Sequence, residues 1–369
     1  MDVLVAFRAD ASVQIGTGHV MRCLTLADEL ARLGHHCLFV CRDHEGHLGD
    51  LIQRRGFELC MLSDGAGLRS ESGGSASSLY SDWLGVTWEK DSQETQEVLS
   101  GRCATWIVVD HYALDARWER EIAKHSAQIM VIDDLADREH DCAVLLDQNL
   151  GRAHTDYDAW VPPHTQRLIG PRYSLLRPEF RELRERFLKR RQAMECGRIL
   201  ISLGGVDRTN VTGRVLSALE ASSLASSTKL DIVMGSSAPA LEDIRTQAAN
   251  SRFDATVNVN VTNMAERMGL ADLSIGAAGS TSWERCCLGL PSIMVILAEN
   301  QRLIGEALAN AECALLIDES EISEALPPML DKLLETEGAL ERFASNAASV
   351  CDGNGASRVA ALMTGRDLH

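Results

Sequence analysis

A histidine set directly after a Gly-Thr-Gly turn is the residue in this sequence best suited to acid–base chemistry. It lies in Arg8-Ala-Asp-Ala-Ser-Val-Gln-Ile-Gly-Thr-Gly-His-Val-Met-Arg22, which joins a strand-like run to a helix-like run through a loop longer than the roughly two to six residues usual there. Gly16 and Gly18 let the backbone turn tightly and approach a ligand, and the helix N-terminus beside them suits an anion or an oxygen-rich group. His19 falls in the first turn of that helix, where the dipole disfavours the imidazolium and leaves the ring available as a neutral base. The alternative is a histidine that only caps the helix or packs beneath the loop. Gly16, Gly18 and Arg22 are candidate substrate-binding residues of the same segment. Met21 occupies the last glycine position of a GxGxxG pattern and no GxxxxGK[ST] occurs, which disfavours nicotinamide and flavin dinucleotides and a P-loop.

Two further polar clusters follow apolar runs. Asp110-His111-Tyr112 comes after Trp-Ile-Val-Val, and Asp133-Asp134 after Ile-Met-Val-Ile, so both emerge at strand ends on the edge that carries His19. Asp110 either orients an imidazole or binds a sugar hydroxyl and Tyr112 lines the pocket, or both cap following helices; Asp133 ranks lower. In the second half, Gly276-Ala-Ala-Gly-Ser-Thr-Ser-Trp-Glu284 passes from strand to helix through small and hydroxylated residues. Backbone N–H groups of Gly279, Ser280 and Thr281 could cradle a diphosphate, with Glu284 accepting from a ribose diol. An ordinary N-cap with Thr281 and Glu284 as a capping box fits the same letters. The amides of Asn300 and Gln301 could reach sugar hydroxyls or an N-acetyl group. His35, His36, His44 and His47 read as surface turn residues, without metal-ligand spacing.

The elements that must position these residues are strands and helices in alternation. Strand-like runs at Val3–Arg8, Cys37–Arg42, Phe57–Leu62, Thr105–Asp110, Gln128–Asp133 and Ala143–Asp147 alternate with helical patterns at about His19–Leu33, Leu48–Arg55 and Asp115–His125, which is βαβ grammar with a parallel sheet. In the first helix Val20, Leu24, Ala27 and Ala31 share one face, and Gly34 supplies the stop. A second series begins at Arg198–Leu203 and continues through Leu230–Met234, Phe253–Val257, Ala271–Ile275, Ser292–Leu297 and Ala314–Ile317. Each series opens with a strand that runs into a glycine-rich turn, Gly16–Gly18 or Gly204–Gly205, where open α/β sheets bind ligands.

The expected architecture is α/β, with two Rossmann-like domains facing across a cleft. The first spans 1–150 and carries the catalytic histidine; 151–195 forms the connection; 196–369 is the second domain. Within the connection, RELRERFLKRRQ reads as a solvated helix. Residues 63–82, rich in Gly and Ser, read as a mobile surface insertion.

With 53 acidic against 36 basic residues, the formal charge of −17 would repel a phosphate backbone, so nucleic acid is not an expected partner. The apolar runs are strand-sized, far short of the roughly 20 residues a membrane span needs, and the N-terminus reads as a first strand rather than a signal peptide. A cytoplasmic location is the default, with the 11 cysteines as reduced structural thiols. Monomer is the default oligomeric state.

Taken together, RADASVQIGTGHVMRCLTLADEL, VVDHYALD, VIDDLADREHDCAVLLDQNLG, IGPRYSLLRPEF, LISLGGVD, GAAGSTSWERCCLGLPSI and AENQ closely resemble the UDP-sugar hydrolases of the pseudaminic acid pathway, the PseG family. The resemblance covers nearly the whole chain in order and departs mainly at the insertion near 63–82. It implies a GT-B-like fold and inverting hydrolysis of UDP-2,4-diacetamido-2,4,6-trideoxy-β-L-altropyranose, with no cofactor and no required metal. It places the catalytic histidine on His19, the site tyrosine on Tyr112 and the site amide on Asn300. It also brings Gly204, Gly205, Gly279, Ser280, Thr281 and Glu284 together as the expected UDP-binding set. A GT-B glycosyltransferase using the same donor, or a non-catalytic nucleotide-sugar-binding protein, are the competing readings.

Overall fold

The computed structural model describes residues 3–65, 80–125, 128–192 and 195–366; most of the Gly/Ser-rich insertion therefore lies outside the described residues. The chain divides into two compact units, Met1–Leu175 with Asn354–His369, and Leu176–Gly353. This differs from the division at 150 and 195 expected from sequence. The stretch after 150 adds a strand to the first sheet, and the final helix packs on the first unit rather than the second.

The first unit is built on seven strands: β1 (Leu4–Ala9), β2 (His36–Arg42), β3 (Glu58–Leu62), β4 (Ala104–Asp110), β5 (Gln128–Ile132), β6 (Val144–Asp147) and β7 (Gln166–Ile169). They form one sheet in the order β3-β2-β1-β4-β5-β6-β7, and all pairs are parallel. Val5, Phe7, Ile107 and Val108 are buried on the central strands, as befits a sheet covered on both faces. Only β7 was not expected. It is a four-residue edge strand, Gln-Arg-Leu-Ile, with a single fully buried position, too short and too polar to give a strand pattern.

Helix Gly18–Arg32 ends where Gly34 adopts φ +89°, a conformation open to glycine. Its buried face runs through Val20, Cys23, Leu24, Ala27 and Leu30. Ala31, expected on that face, is exposed. The C-terminal helix Gly355–Thr364 completes the same core with Val359, Ala360 and Met363, and the indole of Trp106 donates to the carbonyl of Met363 at 2.8 Å. Any side chain at 355 would place its Cβ 2.2 Å from the carbonyl oxygen of Ser174, so glycine is what lets this helix close on the first unit.

The second unit contains β8 (Arg198–Ser202), β9 (Lys229–Met234), β10 (Asp254–Val259), β11 (Leu273–Ala277), β12 (Ser292–Ile296) and β13 (Ala314–Asp318), in the parallel order β10-β9-β8-β11-β12-β13. Both sheets thus reverse direction of growth beside their first strand, at β1/β4 and at β8/β11. The loops leaving such neighbouring strands diverge and open a crevice at their C-terminal ends. His19 follows β1 and Asp110 ends β4; Gly204 follows β8 and Gly279 follows β11.

The charged run expected as a solvated helix is helix Pro178–Arg190, but two of its arginines point inward. Arg191, 3% exposed, donates to the carbonyls of Leu288, Ala271 and Met268 at 2.8 Å each. Arg184 donates to those of Ala348 and Cys351 and to Cys287. Several of these oxygens close helices, which leave their last carbonyls without partners, and a guanidinium is well matched to such a cluster. Burial pushes the Arg191 guanidinium down to about 9, a measure of how little negative charge accompanies it. Arg191→Met is expected to cost about 3 kcal/mol in urea unfolding, because it leaves buried carbonyls unsatisfied. A loss under about 1 kcal/mol would mean that solvent reaches them.

Candidate active site

The first unit gathers its polar side chains at the ends of β1, β4, β5 and β6. The Nδ1 of His19 lies 2.6 Å from Asp110 Oδ1. Arg22 follows His19 by three residues and so shares its helix face; its Nε and Nη2 hold Asp110 at 2.6 and 2.7 Å. The same Nη2 reaches Asp134 Oδ2 at 2.8 Å. Tyr112 donates its hydroxyl to Asp134 at 2.7 Å, and Asn149 Nδ2 donates to the other oxygen at 3.1 Å. Asp110 is wholly buried, and His19 and Arg22 are 8% and 9% exposed.

This arrangement resolves several of the alternatives left by the sequence. Asp110 is an orienting group for the imidazole. With Nδ1 committed to it, Nε2 is the ring nitrogen free to exchange a proton. Burial alone would raise the Asp110 carboxyl, but the Arg22 charge, then that of His19, outweighs it and holds the group well below its ordinary value, so it is an anion. Arg22, expected among the substrate contacts, is instead spent internally between two carboxylates. Tyr112 keeps its place in the site, but its proton points inward, so toward a ligand its oxygen can only accept.

Rings close one side of the site. The His19 ring meets the face of Tyr112 edge-on, with centroids 4.6 Å apart, and Trp83 stacks on Tyr112 at 5.7 Å. Tyr80 packs against both, at 4.7 and 5.1 Å. Tyr80 and Trp83 border the Gly/Ser-rich insertion and were missed because nothing in their spacing ties them to His19. Gly16 adopts φ +82°, and nothing stands within 4 Å of where a Cβ would sit on Gly16 or Gly18. The loop is therefore open beside the histidine.

A second ionic cluster adjoins the first beneath the same sheet edge. Arg8 binds Asp10 and Asp91 at 2.6 Å each, and Arg42 binds Asp91 at 2.6 Å. His111 Nε2 stands 3.3 Å and His44 Nε2 3.8 Å from Asp10. His44 is thus no plain surface residue, and neither is His35, which is buried and accepts from Val3 N. Asp133 proves structural: it is wholly buried and clamps its own turn by accepting from Leu135 N and Ala136 N. It was Asp134, one residue on, that reaches Arg22 and Tyr112.

In the second unit two glycine-rich turns behave differently. At Gly204–Gly205, Gly204 has φ +103°, but the helix that follows, Val211–Glu220, is already capped. Asp207 accepts from Val211 N and Thr212 N, and Asn210 from Gly213 N. Its N-terminus is thus taken by the chain's own carboxylate. At Gly279–Thr281 the capping box allowed by the sequence is not formed: Ser280 is the N-cap and makes no side-chain bond. Helical donation begins with Ser282 N to Gly279 O, and among the described residues the N–H groups of 279, 280 and 281 have no acceptor.

Three side chains surround that open turn. Gln301 Nε2 lies 3.9 Å from the position of a Gly279 Cβ, while its Oε1 accepts from Leu297 N. Asn300 is exposed beside it. Glu284, free of capping, is approached by Arg177 at 3.3 Å; burial raises its carboxyl above the ordinary value against the pull of Arg177. Arg285, missed in the sequence, is 1% exposed and bridges the two sides of the turn. It donates to Ala277 O at 2.7 Å and to Ser282 Oγ at 2.9 Å. Burial lowers its guanidinium to about 10.

This is the fold of the GT-B glycosyltransferases: α/β, with two Rossmann-like units. The MurG of Acinetobacter baumannii superposes with a TM-score of 0.71 at 15% identity, over 99% of this chain and 100% of that one. The spinosyn rhamnosyltransferase SpnG, complexed with thymidine diphosphate, superposes at 0.64 and 16%, over 99% of each. Residues 203–360 match the glycosyltransferase family 28 C-terminal domain. At the level of particular proteins, the chain is 25% identical over 308 residues to the UDP-2,4-diacetamido-2,4,6-trideoxy-beta-L-altropyranose hydrolase of Campylobacter jejuni, covering 83% of this chain and 96% of the hydrolase. The resemblance carried by the motifs is thus found along the length of that protein. The chain is also 26% identical over 212 residues to the spore coat polysaccharide biosynthesis protein SpsG of Bacillus subtilis, covering 57% of this chain and 61% of SpsG. An uncharacterized protein of Methanocaldococcus jannaschii is 26% identical over 303 residues, covering 81% of this chain and 56% of its own length. Among the described residues no helix is long and apolar enough to cross a membrane.

The carboxylates behind the site carry a pH signature. Burial, then the charge of Asp134, pushes the Asp147 carboxyl up from 3.8 to about 7. A group raised on folding contributes stability that is complete below its unfolded value and lost as pH rises through the folded one. Asp147→Asn, which cannot ionise, is therefore expected to gain on the wild type as pH rises from about 4 to 8, measured as the difference in urea midpoint at the two pH values. A difference that does not grow would show that Asp147 is ionised throughout.

Proposed function

We propose that this chain hydrolyses a UDP-activated diacetamido sugar, UDP-2,4-diacetamido-2,4,6-trideoxy-β-L-altropyranose, with inversion at the anomeric carbon. The observation that carries the reading is the His19–Asp110 pair, a buried imidazole with one nitrogen fixed on a carboxylate and the other free. The 25% likeness to the Campylobacter hydrolase over 83% of the chain supplies the substrate class.

In this reading His19 Nε2 takes a proton from a water molecule as its oxygen attacks C1. The bond from C1 to the diphosphate oxygen breaks, and UDP leaves with the electron pair. Asp110 holds the Nδ1 proton and offsets the charge that the ring acquires. UDP is a good leaving group, so no strong acid is required on its side. The N–H groups of Gly279, Ser280 and Thr281 would receive the diphosphate. Glu284 would accept from the ribose diol, and Asn300 and Gln301 would meet sugar hydroxyls or acetamido groups.

A second reading, a glycosyltransferase, is favoured by the family 28 match across residues 203–360. It would use the same base on an acceptor hydroxyl in place of water.

Proton NMR of the UDP-sugar with wild-type protein and no added acceptor separates the two. Release of UDP with one inverted free-sugar anomer, reduced at least about a hundredfold in His19→Ala, is the expected result. Bound but unreacted substrate that turns over only when a sugar or lipid hydroxyl acceptor is supplied would replace the hydrolase by the transferase.

A further inference from the structure

The mechanism just proposed uses His19 and Asp110 and leaves a half-buried carboxylate beside them without a task. Asp134 sits two links away: it receives Arg22 Nη2 at 2.8 Å, the Tyr112 hydroxyl at 2.7 Å and the Asn149 amide at 3.1 Å. We propose that Asp134 is a positioning residue that sets the proton affinity of His19 through Arg22 and fixes Tyr112 as an acceptor toward the substrate. The inference rests on His19 being the base of the proposed reaction.

The argument is one of alternating charge. Asp110 and Arg22 form a two-bond ion pair, and such a pair is nearly neutral as a whole. Taken alone it would give an imidazolium little support, since Arg22 Nη2 itself stands 3.4 Å from His19 Nδ1. Asp134 restores one negative charge to the assembly. The line from His19 through Asp110 and Arg22 to Asp134 then carries a net charge of −1 with neutral imidazole, and zero once the ring has taken its proton. Neutralisation on protonation is what a base in a poorly solvated site needs.

Other charged or titratable groups face this assembly from the surrounding elements. Cys23, on the His19 helix, stands 3.7 Å from Asp110 Oδ2, with its thiol pushed up chiefly by burial and the Asp110 charge. Tyr80 packs on Tyr112, and its own surroundings include Asp137 and Arg138. Arg138 lies over the Tyr112 ring at 5.9 Å and is bonded to Asp133 and Asp137. Arg152 binds Asp147 and the carbonyls of Asp134 and Leu135. None of these groups places a carboxylate on Arg22, so the balance at His19 is left to Asp110 and Asp134.

The test is a pair of substitutions with opposite expected signs. In Asp134→Asn, NMR of ring-labelled histidine without substrate should show the His19 titration midpoint lowered by roughly one pH unit. The acid limb of kcat/KM should move down with it, and turnover should fall. In Arg22→Gln, which leaves two uncompensated carboxylates, the midpoint should rise. A midpoint unmoved in Asp134→Asn, or moved in the same direction in both variants, would overturn the proposal. Asp134→Asn keeps the shape of the side chain and decides the matter alone if Arg22→Gln does not fold. The titration needs no substrate, so it stands apart from the function: a shifted histidine with no turnover of the UDP-sugar would sink the hydrolase reading and leave the charge relay intact.

Discussion

Asp110 is the residue on which the first unit's site depends. It ends β4, so its backbone is fixed by the sheet, and its carboxylate is divided between two partners on one helix face, His19 and Arg22. Such a buried ion pair adds little net stability, because desolvation consumes most of the Coulomb attraction. What it supplies is position. With one oxygen on the ring nitrogen and both on the guanidinium, the imidazole cannot rotate without breaking bonds that have no aqueous replacement, and losing one partner of such a pair costs about 3–5 kcal/mol. The neighbouring cluster of Arg8, Arg42, Asp10 and Asp91 repeats the solution one strand over, with arginines held between carboxylates under the same edge. The edge is thus built as two networks in which arginines are shared between carboxylates. The position of the His19 ring is kept by groups that face inward.

The second unit meets a different demand. A diphosphate needs donors, and a carboxylate nearby would repel it. The two glycine-rich turns differ in this respect. Asp207 fills the helix N-terminus after Gly204–Gly205, whereas the turn at Gly279–Thr281 keeps its N–H groups unpaired. Beside that turn, Arg285 bonds to a carbonyl and a hydroxyl, and burial lowers its guanidinium. Its charge is therefore uncancelled by any direct carboxylate bond, in a chain whose formal charge is −17.

Much of this could be read in advance, and the failures follow a pattern. Twelve strands were legible because each is an apolar run bounded by turns; β7 was not, because a four-residue edge strand has almost no buried positions to mark it. The final helix was assigned by sequence to the second domain with the rest of 196–369, and its packing with Val359, Ala360 and Met363 in the first core, with Gly355 against Ser174, shows which unit it joins. That His19 and Asp110 share one sheet edge was legible, since a strand end and a helix start are local facts, and the structure brings the two side chains together. The bonds of Arg22 to two carboxylates were not legible, because those carboxylates come from residues 110 and 134, far along the chain. The charged run before β8 misled for the same reason: its periodicity is that of a solvated helix, but Arg184 and Arg191 are consumed by carbonyls that the sequence does not reveal.

Asp133 and Asp134 show most sharply where sequence reasoning stops. They are adjacent, of one type, and equally placed at the end of β5. The chain turns directly after β5, and one carboxylate closes that turn with Tyr157 and Arg138, while the other meets Arg22 and Tyr112. No property of the pair itself assigns the roles. The register of β5 against β4, Val109 opposite Val131, carries Asp110 and the Asp133-Asp134 pair out at the same level of the sheet. That register brings the pair to the Asp110–Arg22 ion pair, and the turn after β5 decides which of the two closes the backbone and which meets Arg22.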